Sequence, residues 1–220
     1  DGGGSVGVEA DLDSVRTIAA GLEADWPGWV VEIVPSAGGV LVIIDPLRVS
    51  PQLAKETLAG ILRGISIASG RPGPTRDLVI PVCYDPALAP DLAWVAGTLG
   101  IASDEVVGLH AGGGYVVSTM GFSPGFGYLG GLPEVLRLPR RAEPRIRVEA
   151  GSVAIAEDRT AVYPHATPGG WHLIGRSPLA MFDAERDPPA LLGVGDRVRF
   201  EPISRDQYDR MIQNAGETVG

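Results

Sequence analysis

Gly121-Phe122-Ser123-Pro124-Gly125-Phe126-Gly127-Tyr128-Leu129-Gly130-Gly131 places five glycines, one proline and three aromatic residues in eleven positions. A regular helix is excluded, because an interior glycine costs about 1 kcal/mol and an interior proline about 3 kcal/mol. An ordinary mid-sheet strand is disfavoured too, since Pro124 has no N–H to give to a ladder. The stretch is too aromatic for a flexible linker. It reads as an ordered loop anchored by Phe122, Phe126 and Tyr128, and such loops on rigid scaffolds are where binding sites concentrate.

Two familiar patterns overlap this loop, and neither survives a physical test. Gly121-Phe122-Ser123-Pro124-Gly125 has the glycine and serine spacing of a nucleophile elbow, which needs a backbone N–H after the serine for the oxyanion. Pro124 has none, so Ser123 is expected to hydrogen-bond within its own loop. Gly125-Phe126-Gly127-Tyr128-Leu129-Gly130 has the glycine spacing of a dinucleotide fingerprint, which must open a helix. Gly130, Gly131 and Pro133 forbid that helix.

Outward from the loop, the first part of the chain alternates helix and strand patterns. Asp13 is a plausible N-cap for a helix carrying Val15, Ile18, Ala19 and Leu22 on one face. Val30–Val34 and Val40–Ile44 read as strands turned by Gly38-Gly39, the second apolar throughout and so expected to be central. Ser50-Pro51 opens a helix with Leu53, Leu58, Ile61, Leu62 and Ile65 inward, ending before Gly70-Arg71-Pro72-Gly73-Pro74. Leu78–Tyr84 reads as a further strand of the same unit, closed by Asp85-Pro86. Asp1 to Ser5 is expected to fray, and no first strand is legible before Asp11.

Helical patterns follow, with Leu92, Val95, Ala96 and Leu99 inward and then Ser103 to His110, and a strand at Tyr115–Ser118 leads into the central loop. Short strand patterns at Arg145–Glu149, Ser152–Ala156, Thr160–Tyr163, Trp171–Ile174 and Val198–Phe200 suggest a small barrel or sandwich. Ser204 with Gln207 is a capping-box pattern for a last helix over Gln207–Asn214.

Composition bounds the function classes. The 220 residues are 45% hydrophobic and 20% charged, as expected of a soluble globular protein with a substantial core. A net charge of −9 argues against nucleic-acid and anionic-membrane partners. No apolar run approaches the roughly 18 residues of a membrane span, and no secretory leader is legible. Cys83 is the sole cysteine, so no internal disulfide can form and a cytoplasmic location is expected.

Three long elements then carry a family resemblance. They are Gly121–Leu132, Arg147-Val148-Glu149-Ala150-Gly151-Ser152-Val153, and Pro168-Gly169-Gly170-Trp171-His172-Leu173-Ile174-Gly175-Arg176-Ser177-Pro178. In this order the chain resembles the family of the 5-oxoprolinase B subunit, also called allophanate hydrolase subunit 1 or KipI, a carboxyltransferase-domain family. The resemblance implies an α+β fold: a small N-terminal α/β domain over 1–86, a cyclophilin-like β-barrel domain over 87–203, and a C-terminal helix and tail over 204–220. It implies a subunit, inactive alone, of an ATP-dependent enzyme converting 5-oxoproline to glutamate. ATP would be bound by the assembled complex at a site the sequence does not locate; no metal or biotin site is identifiable. The implied partner resembles the 5-oxoprolinase C subunit or allophanate hydrolase subunit 2, with room for a third subunit. An allophanate- or urea-processing subunit and a KipI-like histidine kinase inhibitor without catalysis are the alternatives.

The chemistry implied is that of anions. Backbone amides in glycine-rich loops form concave anion sites, which makes Gly125, Gly127, Gly130 and Gly131 candidates for an anion cradle, together with Gly169 and Gly170. Tyr128 and Trp171 are candidate pocket walls, and Pro124 and Phe126 are ligand-binding candidates as members of the same loop. The competing reading is that the glycines serve tight turns and the aromatics serve the core or an interface. Arg147 and Arg176 suit a carboxylate or phosphate, and His172 is a candidate acid or base; surface ion pairing and simple packing are the plain alternatives. His110, His165 and His172 make no metal-ligand spacing with Cys83, which reads as a buried small apolar residue.

Overall fold

Apolar residues at helical spacing are buried together in α1 (Leu12–Ala24), where Val15, Ile18, Ala19 and Leu22 are the inward face. The structure is a computed structural model that describes residues 5–9, 12–36, 38–65 and 75–217. The expected fraying of the first residues and the glycine-proline stop after the second helix lie largely outside these. Two units follow from the contacts, Asp1–Arg76 and Asp77–Gly220.

In the first unit β2 (Val30–Ser36) and β3 (Gly39–Ile44) form an antiparallel pair in which Val40, Val42 and Ile44 turn inward. The fully apolar strand is central, as its composition requires. Its other neighbour is β1 (Ser5–Glu9), antiparallel to β3 from Ser5↔Ile43 to Glu9↔Gly39. No first strand was legible there because only Val6 and Val8 mark the alternation, between glycines and acids. Then α2 (Pro51–Gly64) begins with the Ser50 hydroxyl accepting from Leu53 N at 3.3 Å. Ala54 and Leu58 are its buried residues; Leu53, expected inward, is 55% exposed because it lies in the first turn, a face away from Leu58.

The second unit is built on β4 (Asp77–Cys83), and this corrects the boundary. β4 pairs in parallel with β12 (Arg197–Ile203) along its whole length, from Asp77↔Arg197 to Cys83↔Ile203. The division therefore falls at Arg76/Asp77, not after Pro86, and the C-terminal helix belongs to the second unit. Pro81 sits within β4 opposite Glu201.

From β4 the chain forms α3 (Leu92–Leu99) and α4 (Ser103–Gly112), then enters β5 (Tyr115–Met120), β6 (Gly127–Gly130), β7 (Arg145–Val148), β8 (Ser152–Ala156), β9 (Arg159–Val162), β10 (Thr167–Gly169) and β11 (His172–Arg176). Seven strands close a barrel in the order β11-β4-β12-β5-β6-β9-β8, with β8 pairing back onto β11; β7 and β10 make a separate two-stranded ladder. The barrel interior is apolar, with Ile80, Val82, Val117, Leu129, Val153, Ile155, Val162 and Ile174 fully buried. A capping box opens α5 (Arg205–Glu217): Ser204 N donates to Gln207 Oε1 at 2.8 Å and Gln207 N to Ser204 Oγ at 3.2 Å. Among the described residues no single helix is long and apolar enough to cross a membrane.

The central stretch is only half a loop. Its second half is β6, held between β5 and β9 in the closed barrel. Pro124 lies before the strand, so its missing N–H costs the ladder nothing, and the glycine at 127 leaves room for Leu192, which a Cβ there would meet at 2.9 Å.

Candidate functional site

The loop before β6 is closed by its own backbone. Phe126 N donates to Ser123 O at 3.0 Å and Gly121 N to Phe126 O at 3.1 Å, while Phe122 and Gly125 take positive φ of 70° and 81°. A side chain at Gly125 would meet Phe182 Cβ at 2.7 Å and the Met181 carbonyl oxygen at 2.9 Å. Ser123 Oγ is buried without the loop hydrogen bond expected of it. Left-handed backbone costs a non-glycine residue about 1–2 kcal/mol. Phe122 holds it beside an edge contact with Phe126 at 5.2 Å, and its ring is 62% exposed. Strain of this kind clusters at binding sites.

Phe126, buried, is the hub of an aromatic cluster. Tyr128, Tyr163 and Trp171 meet its ring edge-to-face with centroids at 4.9, 5.3 and 6.1 Å. Edge-to-face geometry sets the negative face of one ring against the positive rim of the next. Together with Phe122 these rings line one side of a cavity of about 180 Å³. Pro168-Gly169-Gly170, on and after β10, and Arg140, Arg141 and Pro144 complete its lining. Gly169 is required by close approach, because a Cβ there would collide with the Tyr163 hydroxyl. Burial, with the neighbouring Tyr128, pushes that hydroxyl up to about 12; Arg140, a backbone hydrogen bond from Trp171 and Arg145 pull it back. Tyr163 is thus a neutral phenol near neutral pH, close to two guanidinium groups.

The same arginine segment borders a second, more open cavity of about 350 Å³, lined by Trp94, Pro139, Arg140, Arg141, Glu143 and His172. His172 is buried, with Nε2 donating to the Pro139 carbonyl at 2.9 Å and its ring stacked on Trp94 at 4.7 Å. Since a carbonyl only accepts, Nε2 carries a proton; Nδ1 is buried without a protein partner.

Of the residues singled out in the sequence, Phe126, Tyr128, Gly169, Gly170 and Trp171 come together around the first cavity. Pro124, Gly125, Gly127, Gly130 and Gly131 do not line it. A Cβ at Gly127 would meet Leu192 Cδ1 at 2.9 Å and one at Gly131 the Gly114 carbonyl oxygen at 2.6 Å, so both glycines serve close packing. Arg147 is on β7, exposed and paired with Glu149 at 2.7 Å, and that partner holds the guanidinium pKa up and the Glu149 carboxyl down. Arg176 donates to the Ala150 carbonyl at 2.9 Å, away from the cavity.

Four functional candidates were missed: Asp91, Arg140, Arg141 and Arg145. Asp91 is buried, and its Oδ1 accepts from Arg145 Nη2 at 2.6 Å and Arg141 Nη1 at 3.2 Å while Oδ2 accepts from Leu173 N at 2.7 Å. The available signal was five arginines between 137 and 147, of which only Arg147 was singled out. Among the described residues no cluster of three or more His, Cys, Asp or Glu side chains suits a metal ion.

The model of the carboxyltransferase domain, subdomains C and D, matches residues 5–192. The chain belongs to this carboxyltransferase-domain family. It is 48% identical over 173 residues to the 5-oxoprolinase B subunit of Escherichia coli O157:H7, covering 79% of this chain and 78% of that protein. Among solved structures, TTHA0988 superposes with a TM-score of 0.78 at 34% identity; 91% of this chain is covered but only 40% of that one, so this chain spans less than half of it. Urea carboxylase of Kluyveromyces lactis shares the fold, with a TM-score of 0.71 at 17% identity over 92% of this chain and 20% of that one. The α+β architecture with a closed barrel is therefore that of the carboxyltransferase-domain family.

Proposed function

We propose that this chain is a non-autonomous subunit of an ATP-dependent hydrolase that opens the lactam of 5-oxoproline to glutamate, working with a carboxyltransferase-like partner subunit and a third subunit. The observation that carries this reading is the 48% identity, over most of both chains, to a protein named as the B subunit of 5-oxoprolinase. The aromatic cavity agrees with it in scale and chemistry. At about 180 Å³ it falls below the roughly 300–1,000 Å³ of sites for drug-sized ligands, which favours a small ring. Its aromatic side chains suit the ring, and the arginines in its lining suit a carboxylate.

Two of the cavities among the described residues do not fit ATP. The aromatic cavity is too small for a nucleotide, and the larger one of about 470 Å³ is mainly apolar, with Asp85 and Asp104 outnumbering its single cation, Arg205, which is itself close to Asp85 at 3.8 Å. ATP is accordingly assigned to the assembled complex, and no step through it is derived from this chain.

The test is co-expression with the partner subunits and measurement of ATP hydrolysis with and without 5-oxoproline. Stimulation by 5-oxoproline that vanishes when this chain is omitted is expected. An assembled complex that ignores 5-oxoproline but responds to urea or allophanate would sink the reading in favour of the related amide chemistry. Capture of a histidine kinase by an inactive chain would favour a regulator.

Two substitutions sharpen the site in the same assay. A Cβ at Gly170 would meet Pro144 Cγ at an ordinary 3.7 Å, so Gly170→Val should fold and narrow the cavity. We expect KM for 5-oxoproline to rise roughly tenfold, the scale of misfit in a small pocket. Arg147→Ala, on the exposed β7 surface, should leave both KM and the denaturation midpoint unchanged. A reversed pattern would move the ligand to the β7 face.

A further inference from the structure

Asp91 stands where an N-cap is expected, directly before α3, yet its side chain makes no cap hydrogen bond. It turns instead to Arg141, Arg145 and the Leu173 amide, and its own N donates back to the Leu173 carbonyl at 3.0 Å. Tying α3 to β11 and to the arginine segment needs one guanidinium. The second leaves one carboxylate facing two cations whose side chains are only 32% and 23% exposed, a surplus positive charge that an incoming anion would complete. Arg141 Nε and Arg145 Nη1 are both buried without partners. Nearby carboxylates are engaged elsewhere or open to water: Glu157 pairs with Arg140 at 3.1 Å, Glu149 with Arg147 at 2.7 Å, and Glu143 is on the exposed rim of the outer cavity. Arg141 lines both cavities, and Arg145 is held against the same Asp91 Oδ1 as Arg141.

We propose that Asp91 is a positioning residue: it holds Arg141 and Arg145 beside the aromatic cavity so that their surplus positive charge receives the ligand's carboxylate. This rests on the reading of the cavity as the substrate pocket. Asp91 itself does not touch the ligand. It fixes the guanidinium planes, because a planar fork binds a carboxylate well only when its orientation is held.

The experiment titrates the purified chain with 5-oxoproline and with 5-oxoprolinamide, which keeps the ring and loses the charge, by calorimetry and by tryptophan fluorescence. The wild type should prefer the carboxylate at least tenfold, and Asp91→Asn and Arg141→Gln should each reduce that preference to less than threefold while the carboxamide affinity holds. A merely structural role would weaken both ligands together, and circular dichroism monitors the fold. If Asp91→Asn fails to fold, Arg141→Gln, at a partly exposed site, carries the test. A wild type that binds both probes equally or neither, or variants that keep the preference, would overturn the inference. The complex assay separates the two ideas: 5-oxoproline-stimulated ATP hydrolysis with unchanged KM in Arg141→Gln leaves the substrate reading standing and removes this one.

Discussion

Lowering the pH from 7 to 4.5 should cost the barrel about 3 kcal/mol of stability through one side chain, and His110→Gln should remove that loss. His110, on α4, is fully buried, with its ring stacked on Phe200 at 4.5 Å. Thr160 donates its hydroxyl to the Ala154 carbonyl at 2.9 Å, so at 3.0 Å it accepts from His110 Nε2. Nδ1 is then the acceptor for the Tyr84 hydroxyl at 2.8 Å. Both ring nitrogens are satisfied in the neutral form, and burial pushes the pKa down to about 3. The folded value lies below the unfolded value of about 6.5, so the unfolded chain takes up the proton first. Stability is flat above pH ~6.5 and falls by about 1.4 kcal/mol per pH unit between there and the folded value. At pH 4.5, two units below, that amounts to about 2.7 kcal/mol. Urea midpoints at pH 7.5, 6.0, 5.0 and 4.5 for the wild type and His110→Gln check it; parallel curves for the two proteins would refute it.

The strand and helix patterns were readable wherever one face is buried, because burial imposes period: Val40, Val42 and Ile44 alternate, and Val15, Ile18, Ala19 and Leu22 recur on one helical face. β6 was hidden because two of its four residues are glycine, and its strand character comes from β5 and β9 on either side. The unit boundary was hidden because Asp85-Pro86 marks a chain turn, whereas membership of the barrel is fixed by the long-range pairing of β4 with β12. Tertiary context routinely overrides local signals of this kind.

At the site, the elements that resemble a family were readable and the charged ones were not. Phe126, Tyr128, Gly169, Gly170 and Trp171 lie in two quoted motifs and converge on one cavity. Asp91 and Arg145 are 54 residues apart and meet only through the fold. Nothing local distinguishes Asp91 from an ordinary helix cap. Arg147 and Arg176 stand in the motifs and are held by a neighbouring carboxylate and a backbone carbonyl, respectively.

Gly131→Ala should destabilise the barrel by about 3 kcal/mol, and Gly130→Ala next to it by less than about 1 kcal/mol. In the sequence the two glycines carry equal weight, as members of an anion cradle or as turn residues. The structure separates them. Gly131 has φ of 102°, and a Cβ there would come within 2.6 Å of the Gly114 carbonyl oxygen. Left-handed backbone costs alanine about 1–2 kcal/mol, and the clash with rigid backbone adds a further 1–3 kcal/mol. Gly130 has no positive φ, and the nearest atom to its missing Cβ is the Val116 carbonyl oxygen at 4.0 Å. Alanine is accommodated there and lowers the entropy of the unfolded chain. Chemical denaturation of both variants, with 5-oxoproline titrated into each, decides between the readings. Packing glycines give a large difference in stability and equal ligand affinity. A backbone anion cradle would lose affinity in both variants whatever happens to stability, and that outcome would restore the cradle and displace the aromatic cavity as the binding site.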